Sequence, residues 1–534
     1  MKKTISFFVA AIMAVNVLTA QSIQDGIKFL NYEKNQSAKD LLQKLYNANS
    51  KDPQTVYWYG QALIAQDDIK GAKAVYEKAM NDGVNDPWIW VGSGHVQLLE
   101  GGDINAAKQK FEQAITSTTE TKGKNKGKPS AGILNAIGRA NAVGHLNGMA
   151  GNSKFGDVLY GIDKLKQAEA IDITNTDIPV NEGLSYRKLG GEYGGDAVKA
   201  FEEAIRRDPK NARAMYLIGK IYVTQNNVES IQKYFNDAIT ADATFPPVYL
   251  AYFEYYSDKD VNKAKDYIDN FLKYADKDAK NDFYYADYLF RAGKYSESLA
   301  KAKEIENSVG ITNLPSLNIL YAYNYDRTND SIQAKSYIEK YFAAVPASET
   351  KPSDYNLAIK VISRFPGSAE QTATYISKAI AADTLATDKS SFANQAADLF
   401  DKEKNYSKKL EWLKLAASFK KELTSRDYFF LCDASIKAND TTASKTYSTE
   451  YAQKFPNEIT ALRFQALSAV AADYDTTRGS AIPAVEQYIA ALSKDPAKYQ
   501  RTLPYQFYYL AGFYHDKVKD YPKALETVNR LLVI

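Results

Sequence analysis

The chain has 534 residues, of which 45% are apolar and 25% are charged, and these values exclude a disordered chain and a multi-span membrane protein. Its 28 glycines and 16 prolines are too few for a collagen-like or low-complexity chain. Lysine and arginine number 67 against 64 aspartate and glutamate residues, a formal net charge of +3. So small a surplus gives no reason to expect a nucleic acid or an anionic membrane surface as partner.

The first twenty residues have the features of a secretory signal peptide. Lys2 and Lys3 precede an apolar stretch, and Ala20 provides a small residue at the expected cleavage site. We therefore expect a periplasmic chain that begins at Gln21 and has no integral membrane span, with peripheral association through a partner left open. Residue 21 is not a cysteine, which argues against a lipoprotein. The sole cysteine, Cys432, cannot form an intrachain disulfide and lies in an apolar run typical of a buried residue.

A spacing of three residues recurs along the body of the chain. A small residue is followed four positions later by a bulky one and three positions after that by alanine, as in Ala72, Tyr76 and Ala79. This spacing places the three side chains on one helical face. A small residue, such as Gly60, Gly219 or Ala322, lies in a helix upstream of each such segment, where it would let the two helices approach closely.

The period of this pattern predicts an array of stacked helical hairpins. Pro53 and Pro87 are 34 residues apart, and we expect prolines at such positions to end the second helix of each hairpin. A single hairpin cannot bury its apolar face alone, so stacking of neighbours must complete the core.

The repeated residues resemble the tetratricopeptide repeat family. The family's characteristic positions fall on Gly219, Tyr222, Ile231, Phe235 and Ala238. The resemblance implies an all-α superhelical solenoid of roughly 13–14 hairpins over residues 23–534, with an uncertain register between about 350 and 480.

The pattern divides the chain into five segments. We expect a signal peptide (1–20), an N-terminal repeat block (21–115), a loop-rich hinge with an inserted hairpin (116–157), a central array (158–346) and a degenerate C-terminal array (347–534). The stretch 116–130 alternates lysine with glycine, serine and threonine, and it is typical of a solvated, flexible loop.

Residues typical of catalytic and metal sites are sparse. His95, His145 and His515 are far apart in sequence, and no cysteine or carboxylate accompanies them at metal-ligand spacing. We therefore predict no catalytic site, no metal and no cofactor, and we do not expect an enzyme.

The family resemblance implies that the first helix of each hairpin lines a concave groove. The residues at its groove-facing positions are mostly aromatic or charged: Tyr57, Gln61, Tyr216, Lys220, Phe283, Phe290, Arg291, Tyr323, Arg327, Tyr509 and Phe513. The family's clamp for C-terminal carboxylates uses lysine and asparagine at two of these positions, whereas this chain has aromatic residues there. Recognition of chaperone tails is therefore disfavoured.

Three function classes follow from these features. The leading hypothesis is a non-catalytic exported scaffold that binds a protein or peptide through its aromatic groove, within a bacterial cell-envelope assembly. The alternative is a glycan-binding module similar to the starch-binding, SusD-like nutrient-capture proteins. A helical cell-wall lytic enzyme is a third class, which would need a non-repeat catalytic domain that no segment is long enough to hold.

Overall fold

The computed structural model describes residues 22–142, 156–473 and 479–533. These residues form helices joined by short turns, and no strand occurs in them. The expected signal peptide, His145 and most of the glycine-rich stretch 144–156 lie outside the described residues. None of the helices in the described part of the chain is both long enough and apolar enough to cross a membrane.

The described ranges contain fourteen successive pairs of helices, called hairpins 1–14 in chain order, which confirms the predicted all-α hairpin array. We call the first and second helices of a hairpin A and B. Hairpins 1–7 are α1 (22–31) and α2 (Asn35–Ala48), α3 (Pro53–Ala65) and α4 (Ile69–Asn81), α5 (Pro87–Leu99) and α6 (Ile104–Thr118), α7 (Ala131–Ala142) and α8 (Val158–Ile171), α9 (Asp177–Leu189) and α10 (Gly194–Arg207), α11 (Ala212–Thr224) and α12 (Val228–Ala241), α13 (Pro246–Tyr256) and α14 (Val261–Tyr274).

Hairpins 8–14 continue the same alternation. They are α15 (Ala279–Arg291) and α16 (Tyr295–Val309), α17 (Leu317–Arg327) and α18 (Ser331–Ala344), α19 (Pro352–Ile362) and α20 (Ala369–Ala382), α21 (Ala386–Lys402) and α22 (Tyr406–Ser418), α23 (Ser425–Lys437) and α24 (Thr441–Lys454), α25 (Ile459–Ala472) and α26 (Ile482–Leu492), α27 (Leu503–Gly512) and α28 (Tyr521–Val533).

The chain divides into two compact units. Unit 1 runs to Thr328 and includes Tyr341–Glu349, and unit 2 comprises Asn329–Lys340 and the residues from Thr350 onward. Both sides of the expected hinge at 116–157 belong to unit 1. Within that segment, Gly127 donates its backbone amide to the Glu120 carbonyl at 2.8 Å, and the residues from Glu120 to Lys128 are exposed.

The bulky residue of helix B packs against the glycine of helix A. A Cβ atom added to Gly219 would lie 2.4 Å from the Phe235 ring, and one on Gly60 would lie 2.2 Å from the Tyr76 ring. The glycine therefore accommodates an aromatic ring, not the close approach of two helix backbones that the sequence suggested. Tyr76 also covers Gly92 of the next hairpin at 2.4 Å, so one ring joins two neighbouring hairpins.

Two features of the helix boundaries differ from expectation. Pro53, Pro87 and Pro246 occupy the first turn of the following A helix, where a missing N–H costs nothing, and do not end the preceding B helix. At the far end, Gly512 meets no heavy atom within 4 Å and is followed by a π-helical turn at Phe513–Val518.

The turn between helices A and B has a recurrent conformation. One residue with left-handed φ precedes the residue that caps helix B, as with Asp67 before Asp68 and Asn226 before Asn227. Each of these capping side chains accepts a backbone N–H of the first helical turn. The local sequence thus determines where most B helices begin.

Cys432 is fully buried in unit 2, as its apolar surroundings in the sequence predicted. Burial raises the pKa of its thiol to about 12, so the thiolate that reacts with oxidants and alkylating agents is suppressed.

Candidate functional site

The A helices of unit 1 enclose a cavity of about 410 Å³, which we call the chamber. Residues from α3, α5, α7, α11, α13 and α15 contribute to its wall. The lining combines apolar side chains such as Leu250 with polar and charged ones: Gln61, Arg139, Arg213 and Tyr284. A cavity of this size and mixed lining is typical of a site for a small ligand or a few side chains of a peptide.

The turn between α1 and α2 also lines the chamber and contacts distant parts of unit 1. Tyr32 donates its hydroxyl to Asp242, and its ring lies edge-on to Phe245 with centroids 5.1 Å apart. Arg213 donates to the Asn31 side-chain oxygen at 2.7 Å. Hairpin 1 therefore contacts α11 and the connection before α13, although about 200 residues of chain separate them.

A second set of bonds joins the start of α2 to Asp276, which lies between α14 and α15. Asp276 accepts the backbone N–H groups of Gln36 and Ser37 at 2.8 and 3.1 Å, and it also accepts the Ser37 hydroxyl. The residue at the N-cap position of α2 is Lys34, whose side chain makes no capping hydrogen bond. Asp276 thus caps α2 from 239 residues away in the chain. We call these contacts of residues 31–37 with Arg213, Asp242, Phe245 and Asp276 the clasp.

The clasp brings Glu33 into the lining of the chamber. Enclosure by protein raises the pKa of this carboxyl, and the charges of Arg213, Lys220 and Arg187 act in the opposite direction. The side chain nevertheless keeps contact with solvent, because it faces the open volume of the chamber. Enclosure likewise lowers the pKa values of the Arg213 and Arg187 guanidinium groups.

Arg139 has the least satisfied polar group in the chamber. Its guanidinium lies 4.9 Å from the centre of the Trp58 ring. Its Nε is buried and has no hydrogen-bond partner among the described residues. A buried N–H without a partner is costly, so this donor is suited to an acceptor that a ligand would supply.

Three of the predicted groove residues are buried, which corrects the expectation that they are exposed. Tyr57 is 1% exposed and packs against Trp58 and Trp88. Gln61 is 3% exposed and donates to the Tyr76 hydroxyl at 3.1 Å, although it also borders the chamber. Phe513 of unit 2 is 6% exposed, because the π-helical turn directs it into the core.

Two predicted residues lie on α11, and both are half-buried. The Tyr216 ring contacts Phe245 with centroids 5.6 Å apart, and burial raises the pKa of its hydroxyl. Lys220 forms an ion pair with Glu254 at 3.5 Å. These residues lie near the clasp, since Glu33 acts electrostatically on Tyr216 and Lys220 acts on Glu33.

Five more predicted residues lie on α15 and α17, both in unit 1. Phe290 and Tyr323 come together with ring centroids 5.5 Å apart, and Phe283 adjoins Tyr284 of the chamber wall at 6.2 Å. Arg291 pairs with Asp287 at 2.7 Å and with Asp258. Arg327 is exposed.

The last predicted residue, Tyr509, is half-buried in unit 2. The predicted set is therefore divided between the two units, and its role in binding stays a prediction.

Sequence reasoning missed the charged residues of the chamber. Arg213 and Arg139 occupy groove-facing positions of their A helices, so the repeat register could have identified both. Glu33, Asp242 and Asp276 lie in turns, and no local pattern shows that Glu33 lines the chamber or that the two aspartates bond to residues 32–37. The described residues contain no group of three or more histidine, cysteine, aspartate or glutamate side chains placed to hold a metal ion.

Comparison with known proteins identifies the repeat. Residues 181–244, which cover hairpins 5 and 6, match the tetratricopeptide repeat family model. No curated protein matches the chain in sequence.

Three similar solved structures are tetratricopeptide repeat proteins. The C-terminal part of a protein from Cytophaga hutchinsonii is 21% identical over 46% of this chain and 93% of its own, with a TM-score of 0.27. A protein from Parabacteroides merdae is 14% identical over 51% of this chain and 96% of its own, with a TM-score of 0.35. YrrB, described as having an unusual peptide-binding site, is 18% identical over 39% of this chain and 96% of its own, with a TM-score of 0.24.

The hairpins matched by the family model share their glycine–ring contact with hairpins 2 and 3, where Gly60 meets Tyr76 and Gly94 meets Phe111. The tetratricopeptide repeat family model thus covers residues 181–244 of the chain.

Proposed function

We propose that this chain is a non-catalytic scaffold that binds a segment of a partner protein in the chamber of unit 1. The observation that carries the proposal is the convergence of seven A helices, α1 included, on one cavity whose wall mixes apolar, aromatic and charged side chains. Such a wall offers contact area from its apolar members and fixed orientation from its charged members. A cavity of about 410 Å³ accepts a few side chains of an extended segment but not a folded domain.

We also propose that the protein works after export, in the periplasm and within a cell-envelope assembly. The support is the pattern of residues 1–20: two lysines, an apolar stretch and a small residue at the expected cleavage site. Intact-mass analysis of protein from the envelope fraction should give a chain that begins at Gln21. A mass that includes residues 1–20 would contradict export by cleavage.

Photo-crosslinking tests the binding site. A photoreactive phenylalanine analogue placed at Tyr284 in the chamber wall should capture a partner in cells of the source organism. The same analogue at Leu159, which is exposed on α8, provides the matched control. Capture from position 284 but not from 159 supports the proposal, and equal capture or none from 284 contradicts it.

A polysaccharide affinity gel tests the glycan-binding alternative. If an envelope or dietary polysaccharide in the gel retards the wild-type protein and the effect is lost on substitution of chamber residues, the ligand is a sugar chain and not a peptide.

A further inference from the structure

The turn of hairpin 1 places the Glu33 side chain in the lining of the chamber, where the carboxylate of a ligand would bind. Glu33 has the left-handed φ of the recurrent turn, at +56°. The corresponding residue is Gly101, Asn226 or Gly293 in some other hairpins, and it is Asp67 in hairpin 2 and Lys404 in hairpin 11, so the turn accepts charged residues. In hairpin 1 the same residue also forms part of the chamber wall beside Arg139 and Arg213.

The two arginines of the chamber have hydrogen-bond donors to spare. Arg213 donates one nitrogen to Asn31, and Arg139 has its Nε buried without a partner among the described residues. Within that same part of the chain, neither guanidinium pairs with a carboxylate within 4 Å. Two guanidinium groups that face one cavity repel each other, and a shared anion would relieve that repulsion.

The other acidic residues near the chamber do not serve as the shared anion of the two arginines. Asp67, which also borders the cavity, is already engaged in an interaction of its own. Asp177 attracts Arg213 electrostatically but forms no ion pair with it. Glu254 is paired with Lys220 at 3.5 Å. Glu33 remains the acid of the chamber lining whose charge interacts with Arg213.

The negative charge of Glu33 is only partly balanced by the nearby cations. Glu33 forms no ion pair within 4 Å among the described residues, and its raised pKa reflects an enclosure that the nearby cations do not fully offset. A carboxylate that the clasp holds near Arg213, in the same cavity as Arg139 but bonded to neither, is a weak occupant that a better placed carboxylate can replace.

We propose that Arg139 and Arg213 bind a carboxylate side chain of an acidic partner segment, and that Glu33 occupies their vicinity in the free protein as a tethered competitor. This inference rests on the proposed binding function and names the chemistry of the partner. Arginine recognises carboxylates through paired N–H groups, and the Trp58 ring holds the Arg139 fork in place. The apolar part of the wall, including Leu250 and Phe271, would take the neighbouring side chains of the segment.

Binding of a defined acidic peptide to the full chain tests the proposal. The probe is a fluorescein-labelled hexaglutamate with a C-terminal amide, so that only side-chain carboxylates are presented, and fluorescence anisotropy measures its affinity. Glu33→Gln should bind it about tenfold more tightly than wild type, because removal of the tethered carboxylate frees the arginines. Arg139→Gln or Arg213→Gln in the Glu33→Gln background should cancel the gain.

Matched controls separate this effect from general changes in charge or folding. Glu77→Gln removes an exposed carboxylate of α4 outside the chamber and should leave the affinity unchanged. A labelled hexalysine should not gain affinity from Glu33→Gln. If the Arg139→Gln chain fails to fold, Arg139→Lys keeps the charge, removes the paired geometry and should still lose most of the gain.

Equal affinity of wild type and Glu33→Gln for hexaglutamate, or a gain that survives both arginine substitutions, would overturn the proposal. These outcomes differ from failure of the proposed function. A partner captured at position 284 without a response of hexaglutamate to Glu33 leaves the scaffold function standing and rejects the acidic segment. If Glu33→Gln raises the affinity for hexaglutamate but no partner is captured at position 284, the carboxylate site stands and the protein partner is rejected.

Discussion

At the scale of single residues, the contact between glycine and ring should make Gly219 sensitive to substitution. Phe235 is 0% exposed and covers Gly219 so closely that any side chain there would enter its ring. The spacing in the sequence showed which residues share a helical face. It could not show that the partner of the glycine is a side chain of the other helix, because that depends on the separation of the two helices.

Gly219→Ala should destabilise unit 1 by about 1–3 kcal/mol, because its methyl group would lie 2.4 Å from the Phe235 ring. Chemical denaturation with hydrogen exchange over α11 and α12 measures the effect. Phe235→Leu in the same chain should recover part of the loss, since the smaller side chain yields space.

The control for this substitution is Gly512→Ala, at a helical glycine that has no heavy atom within 4 Å. It should be neutral or stabilising by up to about 1 kcal/mol, because alanine favours helix over glycine. A similar loss at both positions would show that backbone conformation, not contact with the ring, makes Gly219 necessary.

At the scale of helices, the sequence predicted most of the fold and little of the chamber. The hairpins follow from local patterns: apolar spacing, capping aspartates and the left-handed turn residues act within one repeat. The chamber depends on the meeting of Glu33 and Tyr32 with residues about 200 positions away, such as Asp242. No periodicity encodes that meeting, because it results from curvature accumulated over seven hairpins.

The buried Arg207 joins hairpins 4 and 5 and should contribute more to the unfolding free energy than Arg206. The Arg207 side chain is 5% exposed and bonds to Glu203 at 2.7 Å, to the Asn175 carbonyl at 2.9 Å and to Glu169. Arg207→Ala would leave these acceptors without their partner and should cost about 3–5 kcal/mol of unfolding free energy.

Arg206→Ala provides the matched control, since Arg206 is 71% exposed and pairs with the same Glu203 at 2.6 Å. Its loss should leave the unfolding free energy nearly unchanged, because solvent screens an exposed ion pair. If the two substitutions prove equally harmful in urea denaturation, charge at the end of α10 matters more than the buried link.

Glu203 should make the stability of unit 1 depend on pH in the acid range. Hydrogen bonds from Arg206 and Arg207 lower the pKa of its carboxyl from 4.5 to about 2. The unfolded chain therefore takes up this proton at a higher pH than the folded chain. The stabilisation is complete above about pH 5 and is lost as the pH falls towards 2.

Comparison of Glu203→Gln with wild type measures that contribution. The variant should be less stable by about 1 kcal/mol or less at pH 7, since the pair is partly solvated, and the difference should shrink towards pH 2. A difference that stays constant between pH 7 and 2 would assign the effect to packing of the amide.

At the scale of the whole molecule, the two units differ in how far their contacts reach along the chain. In unit 2, side-chain bonds such as those of Arg530 with Glu486 join neighbouring hairpins 44 residues apart. In unit 1, the clasp joins residues up to 240 positions apart. An array of nearest neighbours loses stability locally, whereas a closed one couples its first hairpin to its sixth, seventh and eighth. We therefore expect the clasp to make the stability of hairpin 1 depend on substitutions in or beside hairpins 6, 7 and 8.

Asp276→Ala should release the start of α2, although it lies 239 residues from Ser37. Loss of a helix cap costs about 0.5–2 kcal/mol, so amides 35–48 should exchange up to about thirtyfold faster. Asp269→Ala, which removes an exposed carboxylate of α14 paired with Lys265, should leave this exchange unchanged.

A second substitution separates capping from closure. Lys34→Asp in the Asp276→Ala chain restores a local cap, so α2 should regain its protection. The chamber should stay more accessible, because the bond to the connection before α15 is still absent. A cysteine introduced at Leu250 reports this accessibility, and the buried Cys432 gives little background labelling. Labelling as slow in the double variant as in wild type would show that Asp276 serves α2 alone and that the other contacts of the clasp suffice to close unit 1.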